Sequence, residues 1–312
     1  MRAISDLLQL IRLQVSIYHN AKVCGNWHIR EHQPGQTCFH LVTTGSCRLE
    51  IPGRLNTILH NGDLLLFPRE IAHSMSPVVP LTGHQQHLSY RQADSLDGTG
   101  MLCAEVIFRH RAAQHLLASL PELLLIRCDE RAPWLEPLTG MILRESLAES
   151  ATSQALLDRL CELLFAYGLS HYMESVPRQP GLLALHAHPR IAQALDAIHL
   201  KPECPWTLAA LASEAAQSRT LFAATFKALS GWTAMQYVIW WRMQLAWASL
   251  ESGCSVGETA EKVGYQSQAA FSRAFKKHFA IGAGEIKQQS KRHPGSAFTM
   301  PANPCRALAS VD

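Results

Sequence analysis

A repeated helical pattern near the C-terminus constrains the fold of this chain more than any other feature. The segment 218–227 (SRTLFAATFK) resembles 267–276 (SQAAFSRAFK), since the serine, both phenylalanines and the final lysine recur in the same positions. A serine suits the N-cap of a helix, where its hydroxyl accepts a backbone N–H, and phenylalanines four residues apart share one helix face. Each copy therefore predicts a helix with one buried and one free face.

Small residues before each copy predict that a shorter helix crosses it closely. Ala212 and Ala260 stand midway in the preceding helices, and Ala216 and Gly264 follow four residues later in the predicted turns. A short helix, a tight turn and a second helix form a helix-turn-helix unit, whose second helix can enter a DNA major groove. The alternative is an α-solenoid, but solenoids need three or more repeats.

The segment between the copies, 233–250, is rich in tryptophan and predicts one long helix. Eighteen helical residues span about 27 Å. A rod of that length could hold two recognition helices near the ~34 Å separation of successive major grooves.

The charge distribution agrees with a nucleic-acid partner for the C-terminal third. The net charge of the chain is +3. Residues 1–188 carry 15 Lys+Arg and 17 Asp+Glu, whereas residues 189–293 carry 12 and 7, a difference of +5. A basic excess confined to one segment is typical of a part that meets phosphates.

The N-terminal half changes from strand-like to helix-like patterns. Short apolar or alternating stretches separated by Gly, Pro and Asn turns predict a barrel or sandwich, with strands at 39–43, 47–51, 56–59, 64–67 and 102–108. Apolar residues three and four apart then predict helices at 110–120, 134–148 and 153–173. One face of the last carries an apolar stripe, which is either core or a dimer seam: Leu156, Leu160, Leu163, Leu164 and Tyr167.

Cysteine spacing and hydropathy exclude several classes of protein. Nine cysteines are scattered along the chain, without a Cys-x-x-Cys pair, which excludes zinc-ribbon and thioredoxin motifs. An odd, scattered set also argues against a secreted disulfide framework. No apolar run approaches the ~20 residues of a membrane helix, and the first residues lack a signal-peptide pattern. We therefore expect a cytoplasmic protein without a membrane partner.

Four sequence blocks resemble the DNA-binding domain of AraC-type transcription regulators. They are WTLAALA at 206–212, WRMQLA at 241–246, VGYQS at 263–267 and AFSRAFK at 270–276. The resemblance covers about 100 residues and implies seven helices, two of which enter the major groove. It also implies a double-stranded DNA partner, RNA polymerase contact, a homodimer and activation rather than repression.

The resemblance also implies which side chains meet DNA. In the second recognition helix Arg273 could bind guanine, Gln268 could pair with adenine, and Ala269 could touch a thymine methyl group. The first helix offers small or short side chains where many family members have polar or basic ones, which predicts weaker readout: Thr220, Ala223 and Ala224. Contacts to phosphates are assigned to four basic residues, for which solvated surface charges are the alternative: Arg219, Lys227, Lys276 and Lys277.

The N-terminal half resembles a cupin barrel. The segment 62–68 (GDLLLFP) with His73 is similar to the second cupin motif, and 39–45 (FHLVTTG) is similar to the first. Metal-binding cupins supply a His-x-His pair, a glutamate and a further histidine. This chain offers His40, Glu50 and His73 but has Cys38 at the neighbouring ligand position, so the set is incomplete and structural histidines are the alternative.

Two cysteines are similar in placement to cysteines of this subgroup, some of which sense oxidants. Cys24 precedes Trp27, and Cys103 lies on the predicted last strand. Oxidation of either, or a bond between them, could change the domain's shape and DNA binding. Inert core thiols are the alternative.

The sequence therefore predicts a multidomain α+β regulator. We expect a cupin-like β-barrel with following helices at 1–174, a linker at 175–188, an all-α domain with two helix-turn-helix units joined by a long helix at 189–293, and a disordered tail at 294–312. A small-molecule or redox signal would act on the first domain. We expect no cofactor and no enzymatic activity. The alternatives are a cupin-fold metal-dependent enzyme, a regulator controlled by a partner protein, and constitutive DNA binding.

Overall fold

The computed structural model describes most of the chain. The described residues are 5–6, 9–10, 13–30, 35–108, 110, 112–129, 131–148, 150–175 and 180–292. The predicted tail at 294–312 lies outside them. The chain divides into two compact units, Met1–Trp241 and Arg242–Asp312.

The described N-terminal residues form nine strands in two antiparallel sheets. The strands are β1 (Leu13–Cys24), β2 (Cys38–Thr44), β3 (Ser46–Ile51), β4 (Leu55–His60), β5 (Leu64–Phe67), β6 (Ser74–Pro77), β7 (Gln86–Leu88), β8 (Gly98–Phe108) and β9 (Leu124–Ile126). The larger sheet has the order β7-β1-β8-β2-β5-β9, and the smaller has the order β4-β3-β6. All five strands predicted from the sequence are present.

One hydrophobic core joins the two sheets. In β3 the side chains of Cys47, Leu49 and Ile51 are buried while those between them are not, as the two-residue period of a strand requires. They pack with Val42 and Phe67 of the larger sheet in the same core. The sequence pattern of β3 thus places one face of the smaller sheet against the larger one.

Helices follow β8, with β9 between the first two, and the apolar stripe predicted in the third helix divides in two. The helices are α1 (Ala112–Ala118), α2 (Leu135–Ala148) and α3 (Ser153–Ser175). In α3, Leu160 and Leu164 are buried, whereas Leu156, Leu163 and Tyr167 are 45%, 49% and 48% exposed. Part of the stripe is therefore core and part is an exposed apolar strip.

The segment predicted to be a linker contains a packed helix. Helix α4 (Leu182–Ala187) buries its first four residues. Its start is fixed at two points: the Gly181 N–H donates to the Leu229 carbonyl (2.8 Å), and the Leu182 N–H donates to the Ser119 hydroxyl (2.9 Å). The predicted linker at 175–188 therefore includes a short helix whose leucines are buried.

Seven helices occupy the described residues from 189 to 292, the number that the family resemblance implies. They are α5 (Pro189–Leu200), α6 (Leu208–Glu214), α7 (Arg219–Ser230), α8 (Ala234–Glu251), α9 (Val256–Lys262), α10 (Gln268–Phe279) and α11 (Ala283–Arg292). Across the residues that the structure describes, no helix combines the length and the apolar character needed to cross a membrane.

Candidate DNA-binding surface

The first helix-turn-helix unit consists of α6 and α7. The Thr207 hydroxyl caps α6 by accepting the Ala210 N–H (3.2 Å), and the Ser218 hydroxyl caps α7 by accepting the Leu221 N–H (3.3 Å). A capping hydroxyl satisfies a backbone donor that has no partner within the helix. The serine of the repeat is therefore the N-cap residue, which stands directly before the recognition helix.

The turn of this unit contains a backbone conformation that is uncommon for alanine. Ala216 has φ of 48°, and the Gln217 N–H donates to the Ala212 carbonyl (2.9 Å). Ala212 is 2% exposed. Of the two small residues noted in the sequence, Ala212 is thus the closely packed residue of α6, and Ala216 is the left-handed residue of the turn.

The second unit, α9 and α10, repeats this construction. The Tyr265 N–H donates to the Ala260 carbonyl (2.9 Å), and Gly264 has φ of 77°. The Ser267 hydroxyl caps α10 by accepting the Ala270 N–H (3.2 Å). Helix α9 begins with a reciprocal capping box between Ser255 and Glu258.

Paired phenylalanines fix the inner face of each recognition helix. Phe222 and Phe226 in α7, and Phe271 and Phe275 in α10, are fully buried. In the second unit Trp247 of α8 stacks on Phe275 with ring centroids 6.0 Å apart. With one face held in the core, the rotation of each helix about its axis is set, and so is the face that it presents to solvent.

The predicted DNA-contacting side chains lie on the outer faces of α7 and α10. Nine of the ten are exposed, and Ala223 is half-buried: Arg219, Thr220, Ala224, Lys227, Gln268, Ala269, Arg273, Lys276 and Lys277. Leu221 is also 54% exposed on α7. The last turn of α10 holds Lys276, Lys277 and His278. The outer face of α10 is therefore polar and basic, while that of α7 is largely short and apolar.

The family comparisons agree with this geometry. A profile described as helix-turn-helix domain matches residues 211–289, and a profile described as cupin matches residues 2–174. A putative AraC-like transcription regulator of Streptomyces lividans is 30% identical over 315 residues, covering 96% of this chain and 100% of its own length. The chain belongs to the AraC-like transcription regulators.

Two further relatives span nearly the whole chain. The RCS-specific HTH-type transcriptional activator RclR of Escherichia coli (strain K12) is 28% identical over 300 residues, covering 94% of this chain and 99% of its own length. The HTH-type transcriptional regulator AlkR of Acinetobacter baylyi is 28% identical over 306 residues, covering 93% and 100%. This AraC-like regulator thus has a cupin N-terminal domain and a DNA-binding C-terminal domain.

The two cysteines predicted to sense oxidants are buried and lie apart on the same ladder. Cys24 of β1 pairs with Gly98 of β8, whereas Cys103 of β8 pairs with His19. Five residues of strand separate them, about 16 Å, whereas a disulfide needs Cα atoms within about 7 Å. Burial also raises the pKa of both thiols. A direct bond between them would therefore require the backbone of these strands to move.

The acidic residue beside His40 is not the one predicted from the sequence. Glu50 is exposed on β3, on the face opposite the buried Cys47 and Leu49, so its predicted place beside His40 is wrong. His40 and His73 are buried with ring centroids 5.1 Å apart. Cys38, His40 and Glu70 instead bring a thiol, an imidazole and a carboxylate within 4.8 Å of one another.

Proposed function

We propose that this AraC-like regulator is a homodimeric, sequence-specific transcription activator that places α7 and α10 in two successive major grooves. The observation that carries the proposal is the repeated unit. Each copy has a serine-capped helix whose phenylalanine face is buried and whose opposite face carries the exposed candidate contacts. That is the arrangement of a recognition helix.

The length of α8 supports contact with two grooves. Its 18 residues correspond to about 27 Å of helix. A rod of that length could hold two recognition helices near the ~34 Å separation of successive major grooves. We expect a site of roughly 17–20 base pairs per subunit on this basis.

The two units would contribute differently to recognition. Arg273 and Gln268 have the donor and acceptor groups that pair with guanine and adenine edges, whereas Ala224 and Leu221 can only contact apolar groups such as a thymine methyl. The lysines at the end of α10 would neutralise phosphates and position the helix. The second unit would therefore supply most of the hydrogen-bonded readout, and the first would add shape and apolar contact.

The exposed strip of α3 supports a homodimer. Leu156, Leu163 and Tyr167 are each about half exposed and lie seven and four residues apart, which places them on one side of the helix. Tyr167 is stacked on Trp134, with ring centroids 5.3 Å apart, so the strip is broad and preorganised. Burying such a strip against a second copy would remove apolar surface from water.

A signal in the cupin domain could reach the first DNA-binding unit through packed aromatic residues. His115 of α1 packs edge-on against Trp232 and Trp240, with ring centroids 5.2 and 5.6 Å away. Trp232 lies between the recognition helix α7 and α8. A movement of α1 would therefore act directly on the end of α7. The similarity to RclR, a transcriptional activator, supports activation as the output.

The test is selection of bound sequences from a random double-stranded DNA pool by the full-length protein at near-physiological salt. We expect one enriched motif with two blocks of defined bases about one helical turn apart. Footprints on that motif should fall in two successive major grooves on one side of the duplex. Binding that falls steeply with salt and enriches no motif would contradict sequence-specific recognition.

A further inference from the structure

Three side chains with metal-binding atoms converge inside the cupin domain. They are Cys38, His40 and Glu70, whose Sγ, imidazole nitrogen and carboxylate oxygen all lie within 4.8 Å of one another. The residues are 3%, 4% and 6% exposed. A thiol, an imidazole and a carboxylate are three ligand types that zinc accepts together.

The fold brings these residues together from two places. Cys38 and His40 are two apart on β2, so both point to the same side of the sheet. Glu70 follows β5 and is tied to the residues that precede β2, because its N–H donates to the Gln36 carbonyl (2.7 Å) and its carbonyl accepts the Gly35 N–H (3.0 Å). The Glu70 carboxylate is therefore held beside β2 by backbone hydrogen bonds.

His40 supplies a second, independent indication of a ligand. Both of its ring nitrogens are buried without a hydrogen-bond partner. A buried polar atom without a partner costs about 1–3 kcal/mol, so native proteins rarely leave one.

We propose that Cys38, His40 and Glu70 bind one divalent cation of the zinc class. Tetrahedral zinc with bonds of about 2.0–2.3 Å holds its ligand atoms roughly 3.4–3.8 Å apart. The three groups would need to close by at most about 1.4 Å from their present limit of 4.8 Å. Three protein ligands leave a fourth coordination position for water or a small molecule.

Binding changes the protonation of the site in a defined way. The Cys38 thiol loses its proton to solvent as its sulfur bonds to the cation, and the cation supplies the positive charge that a buried thiolate needs. His73 stands beside the site with its Nδ1 2.8 Å from the Ile71 carbonyl. In the neutral tautomer that donates from Nδ1, the Nε2 would carry a lone pair, as in histidines that support or join metal sites.

The site adds to the proposed function because it gives the class of ligand that the cupin domain would bind. Only the role of that cation as a regulatory signal rests on the proposed function. Closure of the three groups would draw β2 and the residues after β5 together. Cation binding itself is measured without DNA, and DNA selection is measured without added cation. The two proposals can therefore fail independently.

The experiment uses full-length protein kept reduced and passed through a chelating resin. Bound zinc is counted by elemental analysis after gel filtration, its affinity is measured by competition with a chelator, and cobalt is substituted to record its absorption spectrum. We expect one equivalent of zinc and a thiolate-to-cobalt charge-transfer band. Cys38→Ser should abolish the band, and Glu70→Gln should weaken zinc affinity on the order of a hundredfold.

The matched control is Cys47→Ser, which makes the same substitution at a fully buried thiol of the same core. It should keep the stoichiometry and the band, and circular dichroism checks that every variant is folded. Absence of zinc from the wild type, survival of the band in Cys38→Ser, or its loss in Cys47→Ser would each overturn the proposal. A wild type that binds zinc but selects no DNA motif would overturn the proposed function and leave the site standing.

Discussion

At the scale of single residues, the outer faces of the two recognition helices differ in chemistry. Helix α10 exposes an arginine, a glutamine and two lysines, whereas α7 exposes one arginine and one lysine among short or apolar residues. Hydrogen-bonding side chains discriminate between bases, and lysines near phosphates do not. The different roles proposed for these side chains, base recognition and phosphate contact, can therefore be tested residue by residue.

The lysines at the end of α10 should act on affinity and leave sequence preference unchanged. Lys276→Ala or Lys277→Ala should weaken binding to the selected motif and to random DNA by the same factor. Each should reduce the slope of log affinity against log salt concentration by about 1. Fluorescence anisotropy over a salt series measures both quantities, with Arg131→Ala in the cupin domain as the control. A lysine variant that changes the preferred bases would argue against a phosphate contact.

Two histidines with lowered pKa values should make folding stability depend on pH. Burial lowers the pKa of His186 to about 4 and that of His199 to about 2, although the Asp6 carboxylate lies 3.6 Å from His199 Nδ1. The unfolded chain takes up these protons near pH ~6.5, so stability is full above that pH and falls as the pH is lowered, on the order of 1 kcal/mol per pH unit for each histidine.

Chemical unfolding at pH 7 and pH 5.5 measures this loss. His199→Gln should make the dependence on pH shallower, whereas His84→Gln, at an exposed position, should leave it as in the wild type. An unchanged dependence in His199→Gln would show that His199 has the same pKa in the folded and unfolded states.

The cupin motifs predicted the histidines of the N-terminal site but not its acidic member. Glu50 was the glutamate named from the sequence, yet the alternation of β3 turns it to solvent. Glu70 belongs to a short segment after β5, and only the pairing of β2 with β5 brings it beside Cys38. Contacts between residues distant in sequence leave no local pattern, so this group could not be predicted without the fold.

At the scale of elements, the two helix-turn-helix units use the same left-handed turn with different residues. The turn has Ala216 at φ 48° in the first unit and Gly264 at φ 77° in the second. An L-residue with a Cβ is strained there by about 1–2 kcal/mol, whereas glycine is not. The first unit therefore has a less favourable turn residue than the second.

Reciprocal substitutions test this difference. Ala216→Gly should raise the free energy of unfolding by up to about 1 kcal/mol, and Gly264→Ala should lower it by about 1–2 kcal/mol. Gly284→Ala in α11 is the control, because a Cβ there meets open space and alanine favours a helix, so stability should rise. Chemical denaturation measures all three. A Gly264→Ala variant as stable as the wild type, or an Ala216→Gly variant less stable than it, would contradict the strained turn.

Helices and strands were predicted from the sequence where the spacing of apolar residues was regular, and they were missed where that spacing was broken. The helix-turn-helix helices repeat apolar residues at three- and four-residue spacing, and their serine caps mark where they begin. Strand β1 was missed because its pairing with β8 shifts between Ile17 and His19, which breaks the two-residue alternation. Helix α4 was missed because six residues are too few to establish a helical period.

At the scale of the whole molecule, the proposed dimer depends on the exposed strip of α3. Leu163→Glu would place a charge in a buried apolar seam, and an unpaired buried charge is strongly unfavourable. We expect this variant to sediment as a monomer at micromolar concentrations at which the wild type sediments at twice the mass of one chain. Val79→Glu, at a 67% exposed apolar residue outside the helix, should remain dimeric. A dimeric Leu163→Glu protein would exclude this strip as the seam.

The central claim is that the two helix-turn-helix units of one chain recognise two stretches of DNA. Its most direct test is the selection of bound sequences from a random DNA pool by variants of each recognition helix. We predict that Arg273→Ala loses the preference for a defined base in one block only. Thr220→Ala should change the base preference only in the other block. The spacing of the blocks should stay at about one helical turn. If both variants select the wild-type motif, or if both blur the same block, the two-groove account is contradicted.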